Sequence, residues 1–363
     1  MRSFDQHKLK LGLFGLNCSG GLSATLVPER WEGTWAQNLE IAQMADEAGL
    51  DFLLPLGRWK GYGGETDHNG GSFETLTWAA GILAATKHIM AFGTVHVPLF
   101  NPIVAAKQMV TADQIGNGRF GLNIVCGWNL NEFNMAGVEL NAHEARYEQG
   151  QEWVDIVSKA WVSDEPFDYA GDHYSVKGVL MKPKPISGDR PLVVSAGNSD
   201  RGREFAARNS DMMFTGIRVD VDEISDDIEP LKAQAKSYGR DIGIFTNCYV
   251  VCRPTRKEAE EYHNHYALEM ADHGAVDNLI AGRSARGRFD ELPEAMLRNL
   301  KQRAGGGNGA YPIVGDPDDV ASLLIRLNGA GIDAFAMGMA NYIEHFPFFR
   351  DEVLPRLEEA GVR

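Results

Sequence analysis

Eight times along the chain a short β-rich apolar run is followed by a segment of helical spacing, and this alternation constrains the fold more than any other feature. The runs are KLKLGLFGL, DFLLPLG, IMAFGTVHV, RFGLNIVCGW, PLVVSAG, DMMFTGI, IGIFTNCYVV and DAFAMGM. Their helical partners include WAQNLEIAQMADEAG, SFETLTWAAGILAAT and the closing HFPFFRDEVLPRLEEAG. Strands alternating with helices predict a parallel sheet, and a count of eight predicts an α/β fold of the (β/α)8 TIM-barrel type. A doubly wound sheet uses the same alternation. Against it, the first run ends in NCSGG, without the Gly-x-Gly-x-x-Gly turn that receives a dinucleotide pyrophosphate.

Two stretches break the alternation. Residues 165–188 have the character of a hairpin insertion, and residues 273–312 lose all periodicity, with a glycine-rich QRAGGGNGAYP that reads as flexible. A long irregular stretch inside a barrel is usually a lid, so residues 1–363 are expected to form one barrel domain carrying a hairpin and a cover over its mouth.

Charge and composition remove several function classes. Fifty acidic residues against 35 basic ones give a net charge of −15, which repels nucleic acid and anionic membrane surfaces. No apolar run is long enough to cross a bilayer, and the first residues lack the apolar core of a signal peptide, so a cytoplasmic location is expected. The four cysteines make no metal or redox pair. Cys248 and Cys252 would lie on one strand face roughly 13 Å apart at about 3.3 Å per residue, and buried thiols are expected. His263 and His265 sit on a charged helix and read as solvated, with no third ligand in reach, so no metal is expected. Motifs for zinc proteolysis, calcium loops, phosphate-binding loops and a nucleophilic serine elbow are all missing.

In a barrel, chemistry sits at the C-terminal ends of the strands. The candidates there are Asn17 and Ser19 after the first run, Arg58 after the second, Thr94 and His96 on the third, Asn123, Trp128 and Glu132 around the fourth, and 195–199 after the fifth. Strand alternation places Thr94 with His96, and Asn123 with Val125, on one face each. An amide inside an apolar strand costs about 1–3 kcal/mol if left unpaired, so Asn123 needs a neighbour or a ligand. Gly197 and Ser199 at a helix start, with Arg146 and Tyr147 at another, suit a phosphate.

At these residues the chain resembles the bacterial luciferase-like flavin monooxygenases, in the branch that holds pyrimidine oxygenase and dimethylsulfone monooxygenase. The resemblance spans nearly the whole chain and rests on the order and spacing of SGG, DFLLPLGRWKGYGG, SFETLTWAAGILAAT, NPIVAAKQMVTADQIGNGRFGLNIVCGW with Glu132 after it, ARYEQG, KPKPI, SAGNSD and GIDAFAMGM. It implies a TIM barrel that holds FMN at its mouth, reduced by a separate flavin reductase using NADH or NADPH, with dioxygen as co-substrate. It implies flavin contacts at Gly57, Arg58, Asn123, Glu132, Arg146, Tyr147, Gly197 and Ser199. Gly57 and Arg58 differ in type from the family pattern, and Gly57 offers backbone contacts alone.

By the same resemblance Thr94 and Asn123 form a small pocket beside flavin N5, where a flavin peroxide at N5 or C4a attacks an electrophilic carbon. The substrate would be a small organic molecule such as a pyrimidine-like heterocycle, an amide or an alkyl sulfone. Trp59, Tyr62, His96 and Trp128 are candidate substrate contacts, the aromatic ones by stacking on a planar ring. A homodimer or homotetramer is the expected assembly. Two other functions fit parts of the pattern: a deazaflavin-dependent dehydrogenase of the same superfamily, and a flavin-binding protein without catalysis.

Overall fold

The computed structural model describes residue 4 and residues 6–197, 199–283 and 293–363. Its strands are β1 (Lys10–Phe14), β2 (Phe52–Leu54), β3 (Met90–His96), β4 (Phe120–Val125), β5 (Phe167–Ala170), β6 (Ser175–Val179), β7 (Leu192–Ala196), β8 (Met212–Phe214), β9 (Gly243–Cys252), β10 (Tyr311–Gly315) and β11 (Ala334–Gly338). The α-helices are α1 (Trp35–Glu47), α2 (Thr75–Ala85), α3 (Pro102–Ile115), α4 (Leu130–Met135), α5 (His143–Val162), α6 (Asp200–Asn209), α7 (Ile224–Ser237), α8 (Arg256–Asn264), α9 (His273–Arg283), α10 (Glu294–Gly307), α11 (Pro317–Gly329) and α12 (Tyr342–Glu359).

β1, β2, β3, β4, β7, β8, β9 and β11 pair in parallel in that order, and β11 pairs back onto β1. The closed parallel ring of eight strands with helices outside is the (β/α)8 barrel. Phenylalanines from the first halves of the strands fill its lower interior: Phe52 lies 4.8 Å from Phe245, with Phe92 and Phe4 against them. Each such ring contributes about 1.5–3 kcal/mol by leaving water. With the base plugged, open space is left at the C-terminal ends of the strands. β5 and β6 pair with each other in antiparallel fashion, outside the barrel sheet.

The sheet holds one parallel strand more than the sequence periodicity counts. β9 is ten residues long, pairing through its first half with β8 and through its second with β10, from Tyr311 beside Cys248 to Gly315 beside Cys252. The AGGG expected to be flexible is instead the buried last turn of α10. Glycine costs about 1 kcal/mol in a helix, but here contact overrides propensity. A Cβ on Gly307 would lie 2.0 Å from Tyr249 Cδ1, and one on Gly305 2.6 Å from the Ala267 carbonyl. Larger residues would push α10 off the barrel. Of the stretch expected to act as a lid, residues 284–292 lie outside the described residues.

All four cysteines are free and buried. His263, read as solvated, is half-buried: its Nε2 is 2.8 Å from the Tyr249 hydroxyl, and burial lowers its pKa to about 4. His265 is exposed and pairs with Glu269 at 3.1 Å.

Candidate active site

A cavity of about 1190 Å³ opens at the C-terminal mouth of the barrel. Of the residues singled out in the sequence, Gly57, Arg58, Thr94, His96, Asn123, Trp128, Tyr147 and Gly197 line it. Parallel pairing of β3 with β4 sets Thr94 directly beside Asn123 in register, one step below His96 beside Val125. Asn123 Nδ2 donates to Thr94 Oγ1 at 3.2 Å, and Thr94 Oγ1 donates in turn to the Pro55 carbonyl at 2.8 Å. The threonine proton is therefore committed to backbone. Asn123 Oδ1 is buried without a partner, as is His96 Nδ1. Two buried polar atoms without a partner, an amide oxygen and a ring nitrogen, on one wall of a large cavity mark a surface built to meet a ligand. Burial first, and then the nearby Arg58 charge, lower the His96 pKa to about 4, so its ring is neutral near pH 7.

Gly57 leaves room for this wall, because a Cβ there would stand 2.8 Å from both Thr94 Cγ2 and His96 Cε1. Arg58 follows it, held at 3.0 Å by Glu132 from α4, whose Oε1 also accepts from the Trp59 and Lys60 amides at 3.0 and 3.4 Å. The guanidinium lies 4.7 Å from the Tyr62 ring and 5.4 Å from the Trp128 ring. Glu132 stands behind Arg58 and does not line the cavity. Asn17 and Ser19 are braces: Asn17 exchanges hydrogen bonds with both backbone groups of Leu56, and Ser19 Oγ accepts from Gly71 N.

Beside the lining residues Tyr147 and Gly197, Ser199, which like Arg146 does not itself line the cavity, caps α6 by accepting from Gly202 N at 3.1 Å. Gly197 and Gly202 press together so closely that a Cβ on Gly197 would lie 2.5 Å from Gly202 Cα. Tyr147 joins this cradle, and burial raises its pKa against a lowering hydrogen bond with Ser199. Arg146 donates to the Gly127 carbonyl, and its Nε is buried without a partner. Backbone amides at a helix start, two hydroxyls and an arginine form an anion cradle suited to a phosphate.

Two aromatic candidates are not brought to the cavity. Trp59 is 39% exposed and packs 6.2 Å from Phe100, and Tyr62 lies behind Arg58, stacked on His68. Conversely, Asn247 on β9 and Asn299, Arg303 and Tyr311 from the α10–β10 region line the cavity and were not singled out. Asn247 carried the same signal as Asn123, an amide inside an apolar run. The α10 residues carried none, because that stretch shows no periodicity that would place it at the mouth.

Among the described residues no three His, Cys, Asp or Glu side chains cluster to hold a metal ion, and no helix is long and apolar enough to cross a membrane. Burial raises the Cys126 thiol to about 12, so the wall offers no thiolate near neutral pH. The chemistry available is positioning, hydrogen bonding and anion binding.

Residues 10–334 match the family model for luciferase-like monooxygenases. The chain belongs to that family. It is 30% identical to the FMNH(2)-dependent dimethylsulfone monooxygenase of Pseudomonas fluorescens (strain Pf0-1), over 98% of this chain and 96% of that one. It is 29% identical to the pyrimidine monooxygenase RutA of Allorhizobium ampelinum, over 92% of this chain and 94% of the relative. In structure it is similar to DmoA from Hyphomicrobium sulfonivorans, with a TM-score of 0.86 at 21% identity over 98% of this chain and 89% of that one. That last likeness establishes the shared barrel.

Proposed function

We propose that this member of the family is a reduced-FMN-dependent monooxygenase acting on a small organic substrate in the barrel-mouth cavity. The observation that carries the reading is the register pair Thr94–Asn123, which leaves an unpartnered amide oxygen on the wall of a cavity large enough for a flavin and a second small molecule. The donor set fits the cofactor. Gly57, Arg58 and Asn123 would hold the ring system, with Glu132 fixing Arg58, while Arg146, Tyr147, Gly197 and Ser199 would hold the phosphate.

When bound, reduced FMN supplies the electrons that let one atom of dioxygen enter a substrate and the other leave as water. The chain's own contribution is orientation. Asn123 keeps one N–H to donate and one oxygen to accept, so it can fix a small polar molecule against the wall without taking or giving a proton. Thr94, its proton spent on Pro55, holds the Asn123 amide in place. Neutral His96 adds one unpaired ring nitrogen beside them. A separate NADH- or NADPH-dependent flavin reductase would deliver the reduced cofactor, and α9 and α10 would form part of the cover. The relatives' names give the range of substrates, a pyrimidine in one and dimethylsulfone in the other.

Thr94→Ala and Asn123→Ala test the reading. Thr94→Ala is expected to bind FMN within about threefold of the parent and Asn123→Ala to bind it more weakly; at saturating FMN, Asn123→Ala should lose 100-fold or more in reductase-coupled product formation, in line with about 2.7–4 kcal/mol for a lost transition-state donor, and Thr94→Ala should lose activity because the Asn123 amide is no longer held. Full turnover in both variants would overturn it.

A further inference from the structure

A second cavity lies outside the barrel ring, away from its mouth. It holds about 210 Å³ between α5 and α6, over the outer face of β4 and β7. Alternation turns Leu122 and Ile124 of β4 and Val193 of β7 away from the barrel interior, and they form its floor. Trp153 and Trp161 of α5 form one wall. Their indole N–H groups are already spent on the Phe100 and Ala106 carbonyls, at 2.9 and 3.3 Å, so the rings offer this cavity apolar surface.

The rim has the opposite character. In a chain with 50 acidic residues against 35 basic ones, Arg190, Arg208 and Arg240 line this small cavity, and Asp155 is the single acidic residue among its described lining. Asp155 already accepts from Gln151 Nε2 at 2.8 Å, and Arg208 is matched by Glu204 at 2.7 Å. Arg190 and Arg240 share the one carboxylate of Asp211, at 2.6 and 3.3 Å, which also accepts from Val193 N at 2.8 Å. Two guanidinium groups on one carboxylate leave a positive charge uncancelled. Arg240 Nη2 also donates to the Ser210 carbonyl at 2.9 Å, while its Nε is buried with no partner among the described residues. A buried charged donor left unpaired is costly, so this N–H calls for an acceptor that the chain does not supply.

We propose that this cavity is an accessory binding site for a small aromatic carboxylate, with its ring on the apolar floor and its carboxylate on Arg240. An apolar pocket with cationic donors at its rim is what a single-ring anion needs, and the volume falls below the about 300–1,000 Å³ of pockets for larger ligands. The site is separate from the reaction proposed above. Leu122 and Ile124 flank Asn123, and Val193 precedes Val194, the register partner of Asn123, so an occupant lies on the back of the strands whose inner face carries Asn123.

The test is calorimetric titration of benzoate and benzamide, alike in shape and different in charge, into the full chain at fixed ionic strength, with and without oxidised FMN. One benzoate per chain is expected, bound at least tenfold tighter than benzamide and not displaced by FMN. Arg240→Met should abolish the preference, and Arg240→Lys should keep part of it. Ser158→Phe fills the cavity from a half-buried position on α5 and leaves every arginine in place, so it should weaken benzoate tenfold or more even if Arg240→Met fails to fold. Arg303→Met, altered at the barrel mouth, should bind benzoate as the parent does. Equal binding of the two probes would overturn the proposal. So would benzoate that FMN displaces, or that Arg303→Met loses while Ser158→Phe keeps it, since the anion would then sit at the mouth.

Discussion

Replacing Arg58 with Met would leave the Glu132 carboxylate inside the protein with no cation beside it. The two side chains are 3% and 1% exposed and meet at 3.0 Å, so water screens neither. Removing one partner of such a pair costs about 3–5 kcal/mol. Two effects favour the lower end: Oε1 keeps the Trp59 and Lys60 amides, and Met preserves part of the apolar contact that the arginine stem makes. The expected loss is about 3 kcal/mol, read as a lower urea midpoint at unchanged m-value. Arg58→Met combined with Glu132→Gln should recover at least half of it, because the isolated charge is gone. A single variant within about 1 kcal/mol of the parent, or a double variant no better than the single, would refute the view that a compensated buried charge braces this wall.

Two further outcomes follow from the same geometry. Burial lowers the pKa values of His68 and His345 to about 3 and of His96 and His263 to about 4. The unfolded chain therefore takes up protons from about pH 6.5 that the folded chain refuses, so stability is full above that pH and falls as pH drops toward 4, by at most about 2 kcal/mol per buried ring at pH 5. Urea midpoints at pH 7.5 and 5.0 should differ accordingly, less so in His96→Asn, and a flat profile would contradict the burial argument. Gly197→Ala places a methyl 2.5 Å from Gly202 Cα, which must shift the start of α6. FMN affinity, measured by fluorescence titration, should fall tenfold or more with riboflavin affinity changed far less; equal losses would remove the phosphate cradle.

The barrel was legible because each of its eight strands is a short apolar run, followed by a helical pattern or a turn, and closure needs only their count. β10 was not, since its partner is the overhanging half of β9, and nothing in YPIVG says which strand extends past the ring. The glycines before it misled for a physical reason. In sequence three glycines mean flexibility, and in the structure they mean contact, here with Tyr249 and Ala267. At the site, alternation alone set Thr94 with His96 and Asn123 with Val125, and the register of β3 on β4 then joined the two pairs. Glu132 was named, but its task of holding Arg58 needed the third dimension, as did the exclusion of Trp59 from the cavity. Arg303 was invisible because its place depends on how closely α10 approaches the barrel.

The most direct test of the central claim is isotope tracing. The purified protein, FMN, a flavin reductase and NADH are supplied with labelled dioxygen and a panel holding uracil and dimethylsulfone, and products are read by mass. The account predicts one labelled oxygen atom per organic product, none drawn from labelled water, and dependence on both FMN and dioxygen. Product formed without dioxygen, or carrying oxygen from water alone, would contradict it.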